Sequence, residues 1–120
     1  MPLNPDFVGR TYAAAGTYQV GREKVREFAA GIGDANPAST DLAAARALGY
    51  ADLVAPPTFA IVLSMAAAGD VIHDPDLGLD YTRVVHGEQK FAYARPIVAG
   101  DELVTVTTIE AIRSIAGNDM

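Results

Sequence analysis

The chain has 120 residues, half of them apolar, no cysteine and a formal charge of −6. That length suits one domain with its own core, and the missing cysteines exclude disulfides, thiolate nucleophiles and Cys-ligated zinc. The acidic balance argues against nucleic acid, whose phosphates require clustered Lys and Arg.

Nothing in the pattern suggests a membrane or an export signal. The longest apolar stretch, Phe59 to Gly69, is interrupted by Ser64 and falls well short of the roughly 20 residues a bilayer span needs. Met1 to Arg10 carries Asn4 and Asp6 where a signal peptide has a basic start and an apolar run. The expectation is a cytoplasmic protein.

Thr17 to Val20 reads as a short strand, and Arg22 to Ile32 as a helix with Val25, Phe28, Ala29 and Ile32 on one face. Gly31 and Gly33 end that helix, and Asn36-Pro37 opposes its continuation. Leu42 to Leu48 predicts a second helix, stopped by Gly49. Pro56-Pro57 then opens an apolar segment, Thr58 to Gly69, that reads as a helix begun by proline and closed by glycine. A helix apolar nearly all round requires enclosure, and in a small domain a curved sheet provides it. Gly69 to Asp80 reads as a loop.

From Val84 the period shortens to about two, predicting a strand over Val84 to Tyr93. Arg95 to Gly100 reads as a turn and Glu102 to Ile112 as the strand that returns along it, giving an antiparallel hairpin. Gly117-Asn118-Asp119 predicts a further turn. This order of elements, with a buried helix between a first strand and a meander, predicts an α+β hot-dog fold.

The segment Gly33-Asp34-Ala35-Asn36-Pro37-Ala38-Ser39 is the most informative in the chain. It resembles Gly-Asp-x-Asn-Pro-x-His, the motif of the MaoC-like and R-specific enoyl hydratase family, with serine in the histidine position. The resemblance continues through Asp41, the Ala43 to Tyr50 helix, Leu53-Val54-Ala55, His86-Gly87-Glu88-Gln89 and Arg95 to Asp101. Phe7-Val8-Gly9-Arg10 and Arg22 to Ala29 are similar to the FAS1-like dehydratase branch, which includes non-catalytic partner subunits of heterodimeric actinobacterial dehydratases. The resemblance implies that residues 1–120 form one MaoC-like hot-dog domain whose sheet lacks its last strand or two.

Family chemistry moves a proton at the α-carbon of an acyl thioester and adds or expels a hydroxyl at the β-carbon, using an aspartate and a histidine. Backbone N–H groups at the start of the central helix polarise the thioester carbonyl. The resemblance puts the catalytic positions at Asp34, Asn36 and Ser39, and substrate-binding positions at Pro57, Thr58, Phe59 and His86. A serine hydroxyl does not relay protons near neutral pH. Pro56-Pro57 stands where family members have His-Gly, and proline carries no N–H. Losing one such donor costs on the order of 3 kcal/mol of transition-state stabilisation in other enzymes.

Two lesions in one site imply a non-catalytic subunit that holds the acyl chain and completes a double hot-dog dimer with a homologous catalytic MaoC-like chain. The substrate would be acyl-CoA or an acyl carrier protein thioester, with no cofactor and no metal. A self-sufficient hydratase using Asp34, with His86 or another residue, and an acyl-thioester-binding homodimer are the alternatives.

Simpler readings exist for the same residues. Asp34-Ala35-Asn36-Pro37 is also an ordinary helix-exit turn. Ser39, followed by Thr40 and Asp41, also reads as an N-cap for the Leu42 helix. His86 suits a surface or interface position, His73 a solvated loop, and two lone histidines make no metal site.

Overall fold

A computed structural model of the chain describes residues 2–13 and 16–120. Two compact units arise from interleaved segments: Gly16–Leu63 with Lys90–Val104 form one, and Met1–Ala15, Ser64–Gln89 and Thr105–Met120 form the other. The first is called here the groove unit.

In the groove unit, β2 (Tyr18–Gln19) pairs antiparallel with β3 (Glu102–Leu103), with Tyr18 opposite Leu103. Helix α1 (Arg22–Gly31) buries Val25 and Ala29, one turn apart on the face read from the sequence. It ends in a complete glycine cap. Gly33 has a φ of +71°, its N–H donates to the Ala30 carbonyl at 3.2 Å, and the Asp34 N–H donates to the Ala29 carbonyl at 2.9 Å. Helix α2 (Leu42–Ala47) ends the same way: Gly49, with a φ of +94°, donates to the Arg46 carbonyl at 3.0 Å, and Tyr50 donates to the Ala45 carbonyl at 3.1 Å. Only glycine adopts this left-handed conformation without a steric penalty.

The α2 cap is Asp41, whose carboxylate accepts the Ala43 N–H at 3.0 Å, so the capping role read for Ser39 belongs two residues later. Asp41 precedes the first helical residue, and a cap must sit there to reach the unpaired N–H groups.

The core packs Val20, Val25, Leu53, Phe59, Leu63 and small alanines between these elements. Phe59 is fully buried and meets Phe28 edge-on, with ring centroids 5.4 Å apart. Segment 53–55 runs through this core as a strand-like rod. The Ala55 N–H donates to the Ile97 carbonyl and the Ala99 N–H to the Leu53 carbonyl, around a bridge between Val54 and Val98. Arg22 clamps the rod's approach with two bonds to the Asp52 carboxylate, which holds that carboxyl below its usual range; the Leu53 N–H adds to the effect.

In the other unit, β1 (Thr11–Ala13) pairs antiparallel with β4 (Val106–Thr108), and Phe7 and Leu77 are buried. The Tyr12 hydroxyl donates to Asp74 at 2.9 Å. Strands β5 (Ser114–Ile115) and β6 (Asn118–Asp119) form a hairpin around Ala116 and Gly117, both with positive φ. The turn predicted over Gly117 to Asp119 thus begins one residue earlier, at Ala116, because a two-residue hairpin turn of type I′ uses two consecutive left-handed residues.

Three sequence expectations are corrected. Helix α3 covers Ile61–Ile72, three residues beyond the predicted Thr58 to Gly69 span. Residues 57–60 form a turn first, and Gly69 is helical. A single interior glycine costs about 1 kcal/mol, too little to stop a helix that packing favours. The enclosure expected for α3 is also incomplete: Leu63 is its buried residue and Met65 is 54% exposed. The predicted hairpin is absent among the described residues, since 84–92 is irregular and Val85 is 87% exposed. The returning stretch breaks into β3 and β4, which pair with β2 and β1 instead. Alternation signals extended chain, yet it carries no information about which edge accepts it.

Phe59→Ala is expected to cost about 3–5 kcal/mol of stability, whereas Met65→Ala should change it by no more than about 0.5 kcal/mol. Urea unfolding of the two variants checks the contrast.

Candidate functional site

A groove of about 410 Å³ opens in the groove unit. Asp34, Asn36 and Ser39 line it from the α1–α2 link, Tyr50 and residues 54–57 from the stretch after α2, and residues 93–97 from the chain before β3.

Each polar group has a local reason for its place. Asp34 and Tyr50 occupy the same position relative to two helix ends: each is the residue after a left-handed glycine, held by a backbone bond to the last turn. Asp34 is half-buried and accepts the Asn36 N–H at 2.9 Å through Oδ1. Asn36 in turn accepts the Ala38 N–H at 3.1 Å, starting the 3₁₀ turn Pro37–Ser39. These are side-chain turns of the kind expected from Asp and Asn before proline.

Ser39 has a different job. It is 2% exposed, and its hydroxyl donates to the Val54 carbonyl at 2.6 Å, while the Val54 N–H donates to the Ala38 carbonyl at 2.9 Å. The two bonds run in opposite directions and bind the link to the core rod. With its proton committed and its oxygen buried, Ser39 acts as a structural tie.

At the other end of the lining, Arg95 makes two parallel bonds to Asp101, at 2.9 and 3.0 Å, and a third to the Pro96 carbonyl. The guanidinium holds the Asp101 carboxyl below the usual range against the opposing effect of burial, and the Val98 N–H adds a smaller lowering. The Tyr93 hydroxyl donates to the Pro57 carbonyl, and its ring stacks on Phe91 with centroids 6.2 Å apart.

The structure therefore brings Asp34, Asn36, Ser39 and Pro57 to one groove. Thr58 is exposed in the turn before α3, and Phe59 belongs to the core, with no surface to offer a ligand. His86 lies in the other unit, exposed, its Nε2 3.0 Å from Gln89 Oε1. Sequence reasoning missed Tyr50, Tyr93 and Arg95 as groove residues. Tyr50 was findable from the glycine cap before it, whereas Tyr93 meets the groove wall through a contact 36 residues away in sequence, to Pro57.

Chemically, the groove supplies a carboxylate acceptor at Asp34, phenol hydroxyls at Tyr50 and Tyr93, and apolar walls from Val54, Ala55, Ile97 and the prolines. Its described lining has no imidazole. Among the described residues no three His, Asp or Glu side chains are grouped to hold a metal ion, and no helix is long and apolar enough to cross a membrane.

Residues 6–120 match the model of the FAS1-like, dehydratase domain region. A UPF0336 protein of Streptomyces avermitilis is 60% identical over 120 residues, the whole of this chain and 80% of the relative. Among solved structures, the C-terminally truncated HadBC (3R-hydroxyacyl-ACP dehydratase) complex from Mycobacterium tuberculosis aligns with a TM-score of 0.86 and 33% identity, over 95% of this chain and 80% of the matched one. A MaoC-like dehydratase aligns with a TM-score of 0.78 and 38% identity, over 94% of this chain and 34% of the other. The α+β hot-dog architecture expected from the sequence is that of these neighbours.

Two outcomes follow from the geometry. Ser39→Ala leaves the half-buried Val54 carbonyl without its donor and should cost about 1 kcal/mol in urea unfolding. Asp101 has a folded pKa below its unfolded value, near 3.9 for a free aspartate. Its contribution is therefore complete above about pH 4 and is lost as pH falls through the folded value. Asp101→Asn should flatten that acid limb of the stability curve, measured by thermal melts between pH 2 and 6.

Proposed function

This chain belongs to the FAS1-like dehydratase family, and we propose that within it the chain is the substrate-holding subunit of a (3R)-hydroxyacyl thioester dehydratase or enoyl hydratase. It completes a double hot-dog dimer with a homologous MaoC-like chain that carries the intact aspartate and histidine. The substrate is an acyl thioester of coenzyme A or of an acyl carrier protein, and the reaction belongs in the cytoplasm. Losing or adding water is redox-neutral proton chemistry, so the reading includes no cofactor and no metal.

The observation that carries this reading is the buried Ser39 hydroxyl bonded to the Val54 carbonyl, in the motif position where the family's proton relay has histidine. Asp34 remains in the groove as an acceptor for a substrate hydroxyl. A lone carboxylate can orient that hydroxyl, but the paired acid and base needed for concerted transfer are incomplete. Pro56 and Pro57 add a second deficit, since neither offers an N–H to a developing oxyanion. The groove's shape and one polar anchor support binding, and the lost groups argue for chemistry on the partner. The likeness to a dehydratase complex supports a two-chain assembly.

The purified chain is expected to hydrate crotonyl thioester at least about 100-fold more slowly than its complex with the MaoC-like partner, the scale of a missing general acid or base. Turnover by the chain alone that Asp34→Asn abolishes would establish a self-sufficient hydratase and overturn the subunit reading. Thioester binding by a homodimer that captures no MaoC-like partner from its native host would identify a binding protein instead.

A further inference from the structure

We infer that the Tyr93 hydroxyl is the groove's donor to the ligand carbonyl: it exchanges the Pro57 carbonyl, which it serves in this structure, for the carbonyl of an acyl thioester. This deepens the acyl-holding role proposed above and rests on it.

The inference begins with an accounting of donors. A 3-hydroxyacyl thioester presents a hydroxyl, which needs an acceptor, and a carbonyl, which needs a donor. Asp34 supplies the acceptor. At the Pro56-Pro57 wall the backbone has no N–H to give, and it exposes a carbonyl instead. That end of the groove would repel a ligand carbonyl if its own oxygen were bare.

Tyr93 is the group that changes this polarity. Its O–H reaches the Pro57 carbonyl, so a donor already stands at the place the prolines leave without one. Of the other donors on the lining, the Tyr50 hydroxyl and the Asn36 amide make no bond to the proline wall, where Tyr93 stands, and the remaining two are committed elsewhere. Ser39 gives its proton to the Val54 carbonyl, and because the Ser39 side chain is itself buried, the bond cannot be surrendered without leaving its hydroxyl unsatisfied. Arg95 is fixed by a two-pronged ionic contact with Asp101, the stronger kind of bond and the more costly to break. Tyr93 makes a neutral bond to a carbonyl, and the residue is 41% exposed. Water can take over the Pro57 oxygen when the phenol turns away. Exchanging one neutral O–H···O=C bond for another is close to balanced. The stack on Phe91 holds the ring while its O–H rotates, so the donor is oriented without being locked.

The experiment uses the whole chain, together with its MaoC-like partner if the isolated chain does not bind. The probes are crotonyl-pantetheine labelled with carbon-13 at the carbonyl, and the corresponding thioether, which has no carbonyl. Calorimetry is expected to show the thioester bound about tenfold more tightly than the thioether, the scale of one hydrogen bond. Difference infrared spectroscopy should show the bound carbonyl band shifted to lower frequency than in water-free solvent. Tyr93→Phe should abolish both the preference and the shift. Replacing Tyr93 site-specifically with 3-fluorotyrosine, a stronger donor of nearly the same size, should lower the band further, and it keeps the test decisive if the phenylalanine variant does not fold.

A thioester bound equally well by wild type and Tyr93→Phe, with the same carbonyl band, or a band unmoved by 3-fluorotyrosine, overturns the assignment to Tyr93 and leaves the acyl-holding role intact. Failure of the wild-type chain to bind either probe, alone and with the partner, removes the acyl-holding role itself and this inference with it.

Discussion

The reciprocal bonds between Ala38-Ser39 and Val54 are the constraint on which the groove depends. They fasten the link after α1 to the rod at 53–55, and the rod is itself bonded to 97–99 on its other side. Three segments far apart in sequence thereby become neighbours, and they are the three that line the groove. A serine suits this position because its short side chain can donate to an adjacent backbone oxygen while remaining buried. Its buried hydroxyl in turn needs that carbonyl as its partner. The same commitment occupies the hydroxyl proton, which is the feature from which the proposed non-catalytic role is argued.

Around this tie, the local geometry is set by two glycine caps. Each helix stops where a left-handed residue turns the chain, and the residue that follows is held by a bond to the final turn. One cap delivers Asp34 and the other Tyr50. The carboxylate and the phenol are therefore placed by backbone hydrogen bonding, a more rigid support than a loop would provide. Asp34 and Asn36 then spend one oxygen each on the turn between them, which keeps its shape whether or not a ligand is present. Geometry retained in this way is what the proposed substrate-holding role requires.

Electrostatics limits what such a groove accepts. Arg95 is matched by Asp101, so its charge is largely spent inside the protein, and Asp34 leaves the lining with an acidic bias. A neutral acyl group suits this environment better than a free carboxylate does. Under the proposed acyl-holding role, the apolar walls would contribute affinity by removing carbon from water.

Much of this was legible in the sequence. Helices α1 and α2 follow from apolar spacing and glycine stops, signals carried by residues within one or two turns of each other. The departures from the hydratase motif at Ser39 and at Pro56-Pro57 are likewise plain, because covalent structure decides whether an imidazole or an N–H exists. What the sequence could not decide is pairing. The period-two stretch at 84–92 reads as a strand, yet it is irregular and exposed, while Glu102–Leu103 and Val106–Thr108 find their partners near the N-terminus. Alternation records a preference for extended backbone; the choice of partner depends on contacts made across some eighty to a hundred residues. For the same reason Phe59, read as a substrate-binding position, lies in the core, and Tyr93 meets the groove through its bond to Pro57, 36 residues away. The sequence by itself determined which chemical groups the site possesses. The tertiary structure alone decided which of them meet, since only folding brings distant donors and acceptors within hydrogen-bonding range.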